Sequence, residues 1–495
     1  RAQPPRQPAI IDVAQGCDAQ GRLTFREVEM ILDNGAYTSW GATTPSVMMV
    51  PISSLYRVPN IRYAAQCVYT NNIYCQAMRG YGNPQATFAV EASMDELAQA
   101  AGIDPLDFRL INSNQPGEIS PQRLKITSCG LQDCLEGVGR RLDWKAKKAG
   151  AKSRTKARGL GLGSLIHVGG GARVYKSDGH GMIMKMDDFG KVSVITGAVE
   201  IGQGSETVLA QVTAEVLGIR PEDVTVVHHD TDICPWDVGT HASRQAFVSC
   251  NAAIQAATKL KAQLQEMAAK ELQVRPDEIE IKDRACFLAA DPDNDQGRIA
   301  LDKVLRKAHF ASQGKMLMAE TFYDPPNEML DKEFKGNISC AYAFGTTGVE
   351  VEVDRETGQV TILRYVAAHD VGRALNPMLL EGQVHGGAVM GVGYALTEEM
   401  KIKQGRVVND NFLDYKLLTA MDRVPVEPIL VETVDEAGPY GAKGVGEPGC
   451  VPVALALANA VYDAVGVRIR SLPLTPEKIL KAIMEKEGRA ADCQD

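Results

Sequence analysis

A carboxylate set among glycines is the first candidate for chemistry in this chain. The stretch GAKGVGEPG, residues 441–449, surrounds Glu447 with four glycines. Glycine lets backbone approach a neighbour closely or take positive φ. An acid carried by such a loop is either a solvated turn residue ahead of Pro448 or a base aimed at a reacting atom. Lys443 beside it reads as a salt-bridge partner or as a surface residue.

Four further stretches share one design, in which small residues run into the start of a helix. They are MRGYGNPQ (78–85), IGQGSET (201–207), GTHASRQ (239–245) and LNPMLLEGQ (375–383). A helix N-terminus presents unpaired N–H groups and partial positive charge, so each is a ready anion site. Arg79 and Arg244 add forked guanidinium groups that suit phosphate or another planar acceptor. Gln203 and Gln383 add neutral hydrogen bonds of either sense. Taken singly, a Gly-x-Gly between strand and helix is often only a tight turn. Together the stretches point to a large, polar, anionic ligand. The P-loop pattern is absent, and GLGLGSL (159–165) lacks the strand and downstream acid of a dinucleotide fingerprint.

The elements that must position these residues follow from pattern. LTFREVEMILDNGAYTS supplies an alternating strand and a turn. NPQATFAVEASMDELAQAAG predicts a helix with Asn83 as N-cap, Pro84 at its first position and Gly102 past its end. Val90, Met94, Leu97 and Ala101 form its expected core stripe. GKVSVITGAVE reads as a strand, SETVLAQVTAEVLG as a helix and VTVVHHD as a strand, with a long helix after THASRQ. GVEVEVDRETGQVTILRYVAAHD reads as a hairpin turning at Thr357-Gly358. The glycine-dense LLEGQVHGGAVMGVGYALTEE predicts a helix packed closely against something flat.

The chain has 495 residues, a net charge of −9 and a charged share of 23%. Its length predicts at least two domains. The segment RRLDWKAKKAGAKSRTKARG, nine of whose residues are Lys or Arg, reads as an exposed linker. The expected division is therefore 1–140, a linker at 141–158, and 159–495. No basic stripe carries aromatic residues, which argues against nucleic acid. No run is read as reaching the ~18 apolar residues of a membrane span, and no signal peptide is read at the start. Eleven scattered cysteines without zinc or iron–sulfur spacing read as thiols of a cytoplasmic protein. The opening RAQPPRQPAIIDVA, without Met, reads as a strand entered in mid-fold, in a fragment or a split subunit.

In their order, these stretches resemble the molybdenum-binding large subunit of the xanthine oxidase family of molybdenum hydroxylases. MRGYGNPQ, EIGQGSETVLAQV, THASRQ, LEGQVHGGAVMGVGYALTEE and KGVGEP carry the likeness, which spans residues 1 to about 485. AMRGYGNPQ with EIGQGSETVLAQV is most similar to subunits of 4-hydroxybenzoyl-CoA reductase and related aromatic enzymes. The resemblance implies an α+β fold, with two elongated mixed α/β molybdopterin-binding domains around a buried cofactor. It makes 1–140 the remainder of the first domain and 159–495 the second.

It also implies roles. Glu447 stands where the family keeps its active-site acid/base. Arg79, Gly80, Gly202, Gln203, Gly204, Ala242, Ser243, Arg244, Gln383 and Gly446 fall on molybdopterin-holding positions. Ser205 and Thr207 join them for the pyrophosphate of a cytosine dinucleotide. Tyr81 and His167 fall where substrate is lined. Molybdenum would be held through the pterin dithiolene, with no direct protein ligand. SVMMVPISSLYRVPNIR lacks the arginine of purine-oxidising members, which favours another small aromatic or N-heterocyclic substrate.

Electron transfer would need partners: an iron–sulfur subunit, an FAD subunit, and a further chain if the family's N-terminal part is supplied separately. The expected activity is hydroxylation or reductive dehydroxylation. The alternative is a non-catalytic molybdopterin-binding or assembly subunit.

Overall fold

The computed structural model describes residues 4–147, 155–294, 297–311, 314–422 and 424–488. Part of the expected 141–158 linker, residues 148–154, lies outside the described residues. Two compact units divide the chain. The first comprises Arg1–Gly169, Leu330–Asp435 and Val445–Asp495; the second comprises Gly170–Met329 and Glu436–Gly444. The first unit therefore takes chain from both sides of the charged segment.

In the first unit, Ala9–Cys17 pairs antiparallel with Leu23–Gly35, which pairs parallel with Ile61–Tyr69. Alternation in the middle strand turns Val28, Met30 and Leu32 inward, against Met48, Ile52, Ala86 and Val90. The last two sit on the helix Asn83–Ala100, whose N-cap is Gly82 rather than the expected Asn83. Its buried face runs through Val90, Met94 and Ala98, while Leu97 is half-buried and Ala101 exposed. That face also carries Glu91 and Asp95, both bound to the buried Arg109 at 2.9 and 2.8 Å. Burying this ion trio widened the inward face beyond what an apolar stripe indicates.

A second sheet has the order Val426–Val431, Val360–Asp370, Tyr342–Asp354, Lys156–Val168. The expected hairpin is its centre, with Gly358 at φ 76°. GLGLGSL, read as lacking a strand, is itself strand. Gly159, Gly161 and Gly163 share one face of it; a Cβ would come within 2.2, 2.1 and 2.7 Å of the Ala460, Ala456 and Pro452 carbonyls. The glycines thus seat the helix Val453–Val465 directly on the sheet. That helix belongs to an 18-residue stretch, Pro448–Val465, that is long and apolar enough to cross a membrane by length and composition alone. It is 89% buried within the protein, the environment of a core helix.

The second unit is built on a four-stranded sheet ordered Leu317–Tyr323, His180–Met186, Val192–Thr196, Val224–Val227. Helices Ser205–Leu217 and Gln245–Leu272 accompany it. Ala252, Ala253, Ala256, Ala257 and Leu260 give the longer helix a narrow buried face that neighbours approach closely.

Candidate functional site

In the first unit, three elements converge on Glu447. The turn ahead of Asn83–Ala100 runs through Gly80, Tyr81 and Gly82 at φ 91°, 35° and 86°. Such a run of positive φ is sparsely populated and strained at Tyr81. It aims the Gly80 N–H at Glu447 Oε1, 2.9 Å away. His167, one residue from the end of its strand, puts Nε2 2.9 Å from Glu447 Oε2. The Glu447 side chain is 15% exposed and that of His167 3%.

Arg79 locks the loop. Its Nε donates to the Gly446 carbonyl at 2.7 Å, and Nη2 donates to Gln383 Oε1 at 3.0 Å and to the Gln383 carbonyl at 3.2 Å. Gln383 lies on the helix Pro377–Leu396, whose N-terminus is capped by Asn376. A Cβ on Gly387 of that helix would meet Gly449 backbone at 2.6 Å. The close packing expected of this helix is therefore made against the turn that follows Glu447. Tyr81 donates its hydroxyl to the Trp40 carbonyl and meets the Thr43 hydroxyl.

His167 is buried, and its ring meets Glu447 Oε2. One sequence expectation changes here. Asn83 caps no helix; its side-chain amide donates to the Ile166 carbonyl at 2.7 Å and meets His167 Nδ1 at 3.0 Å. Arg6, which sequence reasoning missed, donates to the Arg79 carbonyl at 2.8 Å. No motif marks it.

The second unit holds the other expected residues. In the loop ahead of Ser205–Leu217, Gly202 N, Gly204 N, Ser205 Oγ and Glu206 N all donate to the carboxylate of Glu200. Burial pushes the Glu200 carboxyl up, but the Gly204 and Gly202 N–H groups outweigh it and hold the group below its ordinary range. Glu200 acts as an internal stand-in for an anion. These donors converge on one carboxylate, which satisfies them within the loop. A Cβ on Gly202 would meet nothing within 4 Å, which leaves that backbone open to approach. Gln203 folds back, donating to the Val199 carbonyl and accepting from Ile201 N. Thr207 is exposed in the first turn.

Arg244 overturns an expectation. It is fully buried: Nε donates to Asp178 Oδ1, Nη1 to Asp237 Oδ2 and the Gly239 carbonyl, and Nη2 to the Asp178 and Gly179 carbonyls. All five N–H groups are spent inside the protein, so none remains for a phosphate. Arg244 instead fixes the loop in which Ala242 and Ser243 stand at φ 50° and 54°. Asp237 also meets His180 Nδ1 at 2.6 Å. Burial would raise the Asp237 carboxyl, but His180 and Arg244 bring it down to about 2. Lys443 is buried, which removes its surface reading. Among the described residues no His, Cys, Asp and Glu cluster could hold a metal ion.

Profiles of two molybdopterin cofactor-binding domains match residues 1–113 and 138–424. The chain belongs to the molybdopterin-binding chains of the xanthine oxidase family. It is 36% identical to the xanthine dehydrogenase molybdenum-binding subunit of Escherichia coli O157:H7, over 96% of this chain and 62% of that protein. It is 32% identical to a probable xanthine dehydrogenase subunit of Bacillus subtilis, over 97% and 63%. The structure of quinoline 2-oxidoreductase from Pseudomonas putida 86 matches with a TM-score of 0.87 at 27% identity, over 96% of this chain and 62% of that one. The chain thus spans under two thirds of the length of these relatives. The mixed α/β fold expected from the sequence is the fold of these molybdenum-binding subunits.

Proposed function

We propose that this chain forms the molybdenum–pterin active site of an oxidoreductase, with Glu447 moving the proton. The observation that carries the reading is the Glu447 carboxylate, largely enclosed yet accepting hydrogen bonds from Gly80 N–H at one oxygen and from His167 at the other. A side chain held this way is pre-organised as an acid/base. The molybdenum–pterin group, when bound, supplies the two-electron chemistry.

In the oxidising direction the net change is a C–H bond plus water giving C–OH, two electrons and two protons. Glu447 takes one of those protons; in the reductive direction it returns one as a hydroxyl leaves carbon. Gly80, Gly446, Arg79 and Gln383 fix the loop that carries it. In the second unit, the loop of Gly202, Gln203, Gly204, Ser205 and Thr207, and that of Ala242 and Ser243, are the candidates for the anionic parts of the pterin and of a cytosine dinucleotide, which would have to displace Glu200 from the Gly202 and Gly204 N–H groups. Arg244 shapes the second of these loops from behind.

The substrate is an aromatic or N-heterocyclic small molecule, by analogy with the xanthine- and quinoline-converting names of the relatives and the aromatic resemblance of residues 77–85. Electrons pass to iron–sulfur and FAD centres on partner subunits, in a cytoplasmic complex.

The test is molybdenum analysis of the purified complex combined with mild-acid release of the pterin nucleotide. The reading predicts stoichiometric molybdenum and released cytidine monophosphate. Protein without molybdenum from molybdate-supplied cells contradicts it.

A further inference from the structure

One turn supplies both anchors of the Glu447 carboxylate. Gly80 gives its N–H to Oε1 directly, and Asn83, three residues on, holds the histidine that reaches Oε2. The Asn83 amide has a determined orientation. The Ile166 carbonyl, which can only accept, lies 2.7 Å from Nδ2 and fixes that atom as the amide nitrogen; the same nitrogen lies 3.0 Å from His167 Nδ1, and Oδ1 accepts from Thr87 Oγ1 at 2.7 Å. An N–H aimed at Nδ1 requires a bare nitrogen there. The ring proton then sits on Nε2, where it donates to Glu447 Oε2. A doubly protonated ring would set Nδ1–H against the Asn83 amide, donor to donor. Asn83, Thr87 and His167 are all buried, so water does not replace these partners.

We propose that Asn83 and His167 are positioning residues: Asn83 fixes His167 as the neutral, Nε2-protonated tautomer, and that ring holds Glu447 in the orientation that accepts the proton. This rests on the acid/base reading of Glu447 above. It makes His167 a hydrogen-bond donor to Glu447. Fixing a base through a second group that is itself fixed is how a side chain keeps one productive geometry.

The experiment compares His167→Gln, His167→Leu and Asn83→Asp with wild type in the complete molybdenum-loaded complex. Glutamine keeps an N–H near the Nε2 position, leucine removes it, and aspartate accepts where Asn83 donates. The first readout is 15N magic-angle-spinning NMR of histidine-labelled complex, in which the difference between wild type and His167→Gln isolates the His167 ring. The proposal predicts a bare Nδ1 and a protonated Nε2 at neutral pH, and a protonated Nδ1 in Asn83→Asp. A protonated Nδ1 in wild type overturns it, whatever the variants do.

The second readout is turnover of xanthine and of quinoline with a dye acceptor, at matched molybdenum content. His167→Leu should lose about 10- to 100-fold in kcat with KM little changed, and His167→Gln should recover most of that loss. If Glu447→Gln is inactive while His167→Leu keeps full kcat, the positioning role fails and the acid/base role stands. If Glu447→Gln retains turnover, the acid/base role itself fails. Should His167→Leu not fold, the wild-type ring spectrum still decides.

Discussion

Arg79 and Arg244 have the same side chain and similar glycine-rich surroundings, but they do different work. Arg79 braces the Glu447 loop through Gly446 and Gln383, far away in sequence. Arg244 is consumed by Asp178 and Asp237. Residue type and local spacing gave both the same promise of anion binding. Nothing local distinguishes them, because the acids that neutralise Arg244 lie 66 and 7 residues away and become partners only in the fold. Glu447 was legible from its bare surroundings, whereas Asn83 was not, since Asn before Pro at a helix start is read as a cap.

His369 carries a prediction at the same scale. It is fully buried, with neither ring nitrogen hydrogen-bonded, and burial, helped by the charge of Arg79, lowers it from 6.5 to about 4. The unfolded chain takes up a proton near pH 6.5 that the folded protein refuses until about pH 4. Stability from this residue is therefore complete above pH 6.5 and falls as pH drops through that window. Between pH 7 and 5 the loss is about 2 kcal/mol. Urea unfolding at the two pH values should show that difference shrink by this amount in His369→Leu; an unchanged difference removes His369 as its source.

At the scale of elements, close approach of backbone builds the frame around Glu447. The glycines at 159, 161 and 163 let Val453–Val465 lie on the sheet, and Gly387 lets Pro377–Leu396 touch the turn after Glu447. The alternating strands, the Gly358 turn and the principal helices were legible because period and turn chemistry are local properties. The role of GLGLGSL was not, since alternating glycines look the same in a phosphate loop as in a strand seated under a helix. Gly161→Val places side-chain atoms where a Cβ alone would lie 2.1 Å from the Ala456 carbonyl. Overpacking of this kind costs about 1–3 kcal/mol. Because the displaced helix follows the Glu447 turn, the variant should also bind less molybdenum. Thermal unfolding and metal content check the two effects together, and a wild-type melting temperature contradicts the packing account.

At the scale of the whole molecule, function depends on a fold that interleaves distant chain segments. The first unit closes only when residues 1–169, 330–435 and 445–495 assemble, which a composition-based cut at 141–158 does not anticipate. Local signatures pointed only to a large anionic ligand; the molybdopterin reading came from the resemblance of five ordered stretches to a family, and the family matches at 1–113 and 138–424 agree with it. Direct measurement belongs to the complete complex, since this chain covers 62% of its relative from Escherichia coli. The decisive comparison is Glu447→Gln against wild type, with molybdenum per chain and turnover of xanthine and quinoline read on the same samples. The account predicts wild-type molybdenum content and a loss of turnover of about 100-fold or more. Undiminished turnover with full molybdenum occupancy contradicts it.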